Sequence, residues 1–170
     1  LLQFHRGQSP TVAGYMGAVH AVAWSVAAVL VAPLRPRGQA LCIQAAPVLI
    51  GIGLAGLAWA LPAQPLIWVT ASLLLIGTGF GMSYAFLNQR VMAAAQKGQE
   101  DATAGSAPTL GALGGAIGAA IAGLVGQSVG LDLPLQPQQV AWAVWLLAGG
   151  GAVLALGMGV MARRLLRVLG

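Results

Sequence analysis

The sequence predicts an all-α integral membrane protein of five transmembrane helices, and three observations predict it. Eight Lys or Arg and three Asp or Glu are the only charged residues in 170, against 58% hydrophobic residues, whereas about a quarter of positions are charged in a soluble domain. No charge falls within 7–34, 38–89, 102–131 or 133–162. Each run can cross a hydrocarbon core of roughly 30 Å, for which a helix needs about 20 residues. Leu61-Pro62-Ala63-Gln64-Pro65 divides the second run, because prolines remove helical donors and clash with the preceding turn. Five spans follow, near 11–34, 40–61, 65–89, 106–126 and 139–162, in a single membrane domain over 1–170.

The first span opens at Ser9-Pro10-Thr11, with a capping hydroxyl and a proline at the position where its missing N–H is harmless. His20 is the readily titratable group well inside it. Ionisable residues at such depth face a bundle interior or a watery path, so His20 reads as a proton relay or ligand contact. Against that stands the plainer reading of a histidine hydrogen-bonded to a neighbouring helix. Trp24 and Ser25 are its helical neighbours and would share a cavity wall with it, while His5 falls in a loop and reads as solvated.

The second span carries Cys42, read as a small buried hydrophobe because a lone cysteine has no internal partner. Pro47 removes one backbone hydrogen bond, and Gln44, a turn earlier, is placed to satisfy the freed carbonyl. In the third span Gly77 and Gly81 share a face with Tyr84 and Asn88, at i, i+4, i+7 and i+11. A glycine groove followed by two polar side chains reads as a cavity wall; the alternative is that Tyr84 and Asn88 sit at the membrane interface.

In the fourth span Ala107, Gly111, Gly115, Gly118, Ala122 and Gly126 make a nearly smooth face. Lipid offers helices no hydrophobic drive to associate, so small residues that let backbones approach mark packing surfaces. The fifth span contains Gly149-Gly150-Gly151 and Gly157-x-Gly159, which weaken or bend a helix as readily as they pack it.

Alternating the loops places Arg35, Arg37, Arg90, Lys97, Arg163, Arg164 and Arg167 on one side and Arg6 alone on the other. By the positive-inside rule the first side is the cytosol, the N-terminus is outside and the C-terminus inside, in a plasma or inner cell membrane. Trp68, Trp142 and Trp145 then fall toward the outer interface, where indoles settle. The basic groups end apolar runs and read as anchors rather than a phosphate-binding face, so nucleic acid is not expected as a partner.

No catalytic set is legible: there is no intramembrane carboxylate pair, no metal-spaced cluster, and no nucleophile with a base. Enzyme activity, cofactors and metals are therefore not expected. Glu100, Asp101 and Asp132 read as solvated loop charges. Five spans suit a six-helix unit lacking its first helix, with Leu1-Leu2-Gln3-Phe4 as that helix's last turn. A complete five-helix scaffold or assembly subunit without transport activity is the alternative.

Gly77-Thr78-Gly79-Phe80-Gly81, a polar loop, and then Asp101-Ala102-Thr103-Ala104-Gly105-Ser106 leading into Leu113-Gly114-Gly115-Ala116-Ile117-Gly118-Ala119-Ala120-Ile121 resemble the tenth and eleventh helices of major facilitator superfamily drug:proton antiporters. Gly7-Gln8-Ser9-Pro10-Thr11-Val12-Ala13-Gly14 is similar to that family's entry into its eighth helix. The resemblance implies helices eight to twelve of a twelve-helix transporter, or their equivalents among fourteen. It further implies a partial six-helix half of a major facilitator fold, rocking against a missing N-terminal half. Proton-coupled efflux of drug-like or small amphipathic molecules would be the activity, multidrug efflux by an antiporter. The third span would line the cavity, and the first and fourth would meet the other half. One departure is Pro33-Leu34-Arg35-Pro36-Arg37-Gly38-Gln39, which keeps the arginines of the family's charged loop and lacks its Asp.

Overall fold

The computed structural model describes residues 2–3, 6–93, 98, 100–130 and 136–168. His5, Lys97 and Asp132, with Leu1 and Phe4 of the opening turn, lie outside the described residues. Five helices are long and apolar enough to cross a membrane. They comprise α1 (Pro10–Val31), α2 (Pro36–Ala63), α3 (Leu66–Ala93), α4 (Glu100–Ser128) and a fifth rod. That rod is built from α5 (Pro137–Val144), a π-helical turn (Trp145–Gly149) and α6 (Gly150–Val168).

Local chemistry sets the ends. The Ser9 hydroxyl accepts from the Val12 N–H at 3.3 Å and Pro10 starts α1. The helix stops at Val31 rather than 34: Ala32 keeps helical dihedrals and donates its N–H to the Val29 carbonyl, and Pro33 has no N–H with which to continue the ladder. Pro36 opens α2 a turn ahead of residue 40, since proline is preorganised for the first helical position. Pro62 stays within the last turn of α2, and the chain breaks at Gln64, whose backbone is extended. The fourth helix begins at Glu100, so Ser106 and Pro108 fall inside it and not at its start. Asp101 falls in its first turn, where negative charge meets the positive end of the helix dipole. Gly130 ends this segment with φ +64°, a left-handed backbone that glycine adopts without cost.

Packing is by size. Buried positions are dominated by Ala, Gly and Ser, including Ala23, Ala27, Ala46, Ala58 and Ala60, whereas Val29, Leu30, Ile67 and Leu124 point outward. Such an arrangement suits lipid, which solvates large apolar side chains while small ones let helix backbones touch. Hydroxyl groups are satisfied within their own helices: Ser72 donates to the Trp68 carbonyl at 2.8 Å, Thr70 to Leu66 at 2.9 Å, and Ser83 to Gly79 at 3.0 Å.

The helices line up in the spatial order α1, α3, α2, α5–α6, with α3 packed between α1 and α2, and the fifth rod packed on α2. Close approach at glycine holds this row together. A Cβ on Gly53 would come 2.6 Å from Ile76 Cγ1 and 2.9 Å from the Ser72 carbonyl oxygen, and one on Gly79 would come 3.0 Å from the Ala46 carbonyl oxygen. Across the α2–α6 seam a Cβ on Gly159 would come 3.1 Å from Pro47 Cβ. Among the described residues no side-chain hydrogen bond joins Gln44 to the Ile43 carbonyl that Pro47 frees. Ala58 packs with Val140, Val144 and Ala148, which sets the start of the fifth rod level with the end of α2. Cys42, Ile43 and Phe86 form a second cluster at the opposite end, with the Cys42 side chain buried among apolar neighbours.

α4 behaves differently: among the described residues it packs lightly, chiefly on the edge of α3 and the π turn. Gly111, Gly115 and Gly118 have nothing within 4 Å of where a Cβ would stand.

Candidate functional site

α1 and α3 run side by side in the same direction and meet backbone to backbone. A Cβ on Gly77 would strike the His20 carbonyl oxygen and lie 2.9 Å from Ala23 Cβ; one on Gly81 would strike the Trp24 carbonyl oxygen and lie 2.8 Å from Ala27 Cβ. This contact requires glycine, and the small Ala23 and Ala27 opposite complete it. With the backbones so close, the larger side chains beside the seam are pressed against each other.

Four rings collect there. Trp24 stacks on Phe80 with centroids 5.4 Å apart and planes 18° from parallel. His20 sits edge-on to both, 6.2 Å from Trp24 and 6.1 Å from Phe80. Tyr84 meets Trp24 edge-on at 5.4 Å. Helical spacing explains the set: His20 and Trp24 are one turn apart on α1, Phe80 and Tyr84 one turn apart on α3. His20 is ten residues into α1, about 15 Å along the helix and close to mid-bilayer for a rod of this length. Its ring nitrogens make no hydrogen bond to another described residue, so its contacts are with aromatic rings.

The structure therefore brings His20, Trp24 and Tyr84 together and adds Phe80. Phe80 was visible in the sequence as the large residue inside Gly77-Thr78-Gly79-Phe80-Gly81; its i, i+4 relation to Tyr84 was the signal that could have found it. Ser25 is exposed, and its hydroxyl donates to the Ala21 carbonyl at 3.0 Å, apart from the ring cluster. Asn88 lies a turn beyond Tyr84 and lines a cavity of about 210 Å³ between α3 and α4, with Tyr84, Val91, Met92, Ala104 and Pro108. A larger apolar groove of about 480 Å³ opens between α2, α3 and α6, walled in part by Phe80, Ser83 and Tyr84. Gly111, Gly115 and Gly118 take no part in either.

Among the described residues no group of three or more His, Cys, Asp or Glu is placed to hold a metal ion. The runs that build the ring cluster carry no charge of their own. What the arrangement offers chemically is aromatic surface, one imidazole, one phenol and one amide.

The chain is similar to a multidrug-efflux transporter. Over 123 residues it is 34% identical to a protein described as "Probable multidrug-efflux transporter" in two strains of Mycobacterium tuberculosis, an alignment that covers 69% of this chain. It covers 26% of those proteins, so the chain spans about a quarter of the length of the curated relatives it matches. No protein-family profile matches the chain, and no solved structure matches it. Five apolar helices and this similarity make it a membrane protein.

Proposed function

We propose that this chain is the C-terminal portion of a secondary active transporter of the major facilitator type, exporting drug-like or small amphipathic solutes in exchange for protons. The observation that carries the reading is the convergence of His20, Trp24, Phe80 and Tyr84 at mid-membrane depth on two helices locked together by Gly77 and Gly81. Supporting it is the similarity to proteins described as multidrug-efflux transporters.

In this reading the ring cluster forms part of a solute-facing wall, and His20 is the proton-exchanging group within this portion, because no carboxylate occupies these spans. α1, α2 and α3 move as one body in the rocking step, since their backbones interlock at glycine. The uncovered glycine face of α4 packs on the N-terminal half. The basic ends of the helices are cytosolic, and the α2–α3 turn faces outward.

The test is transport by the full-length protein in proteoliposomes with an imposed proton gradient, using ethidium as the reporter solute. Gradient-dependent ethidium movement is expected for the wild type. His20→Ala should abolish it while leaving folded yield unchanged. Absence of any gradient-driven movement in the wild type sinks the transporter reading, and unchanged movement in the variant removes His20 from coupling.

A further inference from the structure

The fifth rod keeps one face on α2 from Val140 to Gly159, and the spacing along that face is not α-helical. Val140, Val144 and Ala148 pack with Ala58. Further along, a Cβ on Gly51 would come 3.4 Å from the Ala152 carbonyl oxygen, and one on Gly159 would come 3.1 Å from Pro47 Cβ. Val140, Val144, Ala148 and Ala152 are all buried, so the stripe advances by four residues three times in succession. Four residues turn an α-helix about 40° past a full circle, and three such steps would carry Ala152 about 120° away from Val140. The π turn at Trp145–Gly149 cancels most of this drift, because its wider ring absorbs one residue, about 100° of rotation. The rod thus carries one residue more than a straight helix needs to reach the same contacts.

Little holds that surplus residue in place on its C-terminal side. Gly149, Gly150 and Gly151 follow one another there, and glycine gives α-helical backbone the least support after proline. Among the described residues a Cβ on Gly150 would meet nothing within 4 Å, and one on Gly149 would meet only Trp145 Cε3, at 3.7 Å. No neighbouring helix crowds the backbone at these two positions. Passing the surplus into the glycine run would leave Val140 and Ala152 on α2 and turn the residues between them. α5 would then continue as α-helix, and Leu147, seven residues after Val140 and now half-buried, would take the place of Ala148. α4 rests on the same turn, so the rotation reaches two helices.

We propose that the π turn is a sliding joint: the surplus residue alternates between Trp145–Gly149 and the Gly149–Gly151 run, exchanging Ala148 for Leu147 against Ala58 of α2. Packed interfaces hold two discrete arrangements more readily than a continuum. Here the two differ by the bulk of one side chain between α2 and the fifth rod, so the register of the turn sets how closely these helices sit. The part of the joint in moving a solute rests on the transporter reading above, whereas the joint itself does not.

The experiment uses the full-length protein in proteoliposomes, in a cysteine-free background, with copper phenanthroline to join introduced cysteine pairs. Ala58→Cys with Ala148→Cys should cross-link, and so should Ala58→Cys with Leu147→Cys. Gly149→Ala together with Gly150→Ala adds methyl groups that meet at most the Trp145 ring and removes the freedom of the glycine run. It should suppress the Leu147 link and leave the Ala148 link intact. Deleting Leu146, which is exposed on the rod, restores α-helical spacing to the buried stripe. That protein should fold with an unchanged thermal midpoint and form the Ala148 link alone. Both variants should lose most of the gradient-driven ethidium movement. Failure of either link in the parent protein, or a Leu147 link that survives the glycine changes undiminished, overturns the joint. A Leu146 deletion that does not fold overturns it as well, since the stripe would then need the surplus residue. Undiminished ethidium movement in either variant removes the joint from transport. Links that behave as expected in a protein that moves no solute leave the joint standing and remove the transport reading instead.

Discussion

Gly81 lies so close to the Trp24 carbonyl oxygen that no side chain can stand between α3 and α1. The same pair of turns carries the Trp24–Phe80 stack beside the seam. Backbone contact and ring contact are thus two consequences of one close helix approach, and they can be separated by substitution.

Gly81→Leu should force α1 from α3. Overpacking a tight contact costs about 1–3 kcal/mol where neighbours can yield, and here the obstacle is backbone, so the loss is expected at or above the top of that range. A fall in thermal midpoint and in monodisperse yield from detergent would report it; a stable, monodisperse Gly81→Leu protein would show that the seam is not this close.

Phe80→Ala removes a ring without touching the seam. The expected loss includes about 0.5–1.5 kcal/mol for the aromatic pair beyond the area buried. The near-ultraviolet circular dichroism of Trp24 should change with it, while helix content does not. An unchanged Trp24 signal would mean that the two rings are not stacked.

A Cβ at Gly115 meets nothing within 4 Å among the described residues, so Gly115→Leu should leave the packing of α1, α2 and α3 intact. In the full-length protein the proposed contact of α4 with the N-terminal half predicts lost transport at normal thermal stability of the remaining helices. Wild-type transport by this variant would place the glycine face against lipid.

Trp59 and Trp68 form an edge-to-face pair at 5.8 Å beside the α2–α3 turn, and Trp142 and Trp145 are 65% and 50% exposed on the rod packed at the same level. All four indoles should sit at one membrane interface. Lipids brominated near the headgroup should quench Trp142 and Trp145 more strongly than lipids brominated at the chain end, in variants retaining one tryptophan each. The reverse order would move this end of the bundle to the bilayer centre.

Much of this architecture was legible because charge placement is so costly in lipid. The distribution of eleven ionic residues marks the spans, and the prolines at 33, 36, 62 and 65 mark the turns. Helix ends were harder, for they depend on local competition: Pro62 was tolerated in the last turn of α2, and α4 began at Glu100, with Asp101 in a first turn whose dipole favours negative charge. The π turn at Trp145–Gly149 leaves no clear trace in the sequence beyond the glycine run that follows it.

By itself the sequence determined an all-helical membrane protein, its five apolar spans, and the residues with any chemistry to offer at depth. Helical periodicity also grouped Gly77 with Gly81 and His20 with Trp24, since positions three and four apart must share a face. Only the tertiary structure decided which faces meet. It set α3 between α1 and α2, added Phe80 to a ring cluster centred on Trp24, and left the glycine face of α4 uncovered among the described residues. Periodicity fixes which side chains lie together on one helix, whereas the choice of partner helix depends on complementary shape between backbones far apart in the chain, and no single-helix pattern contains it.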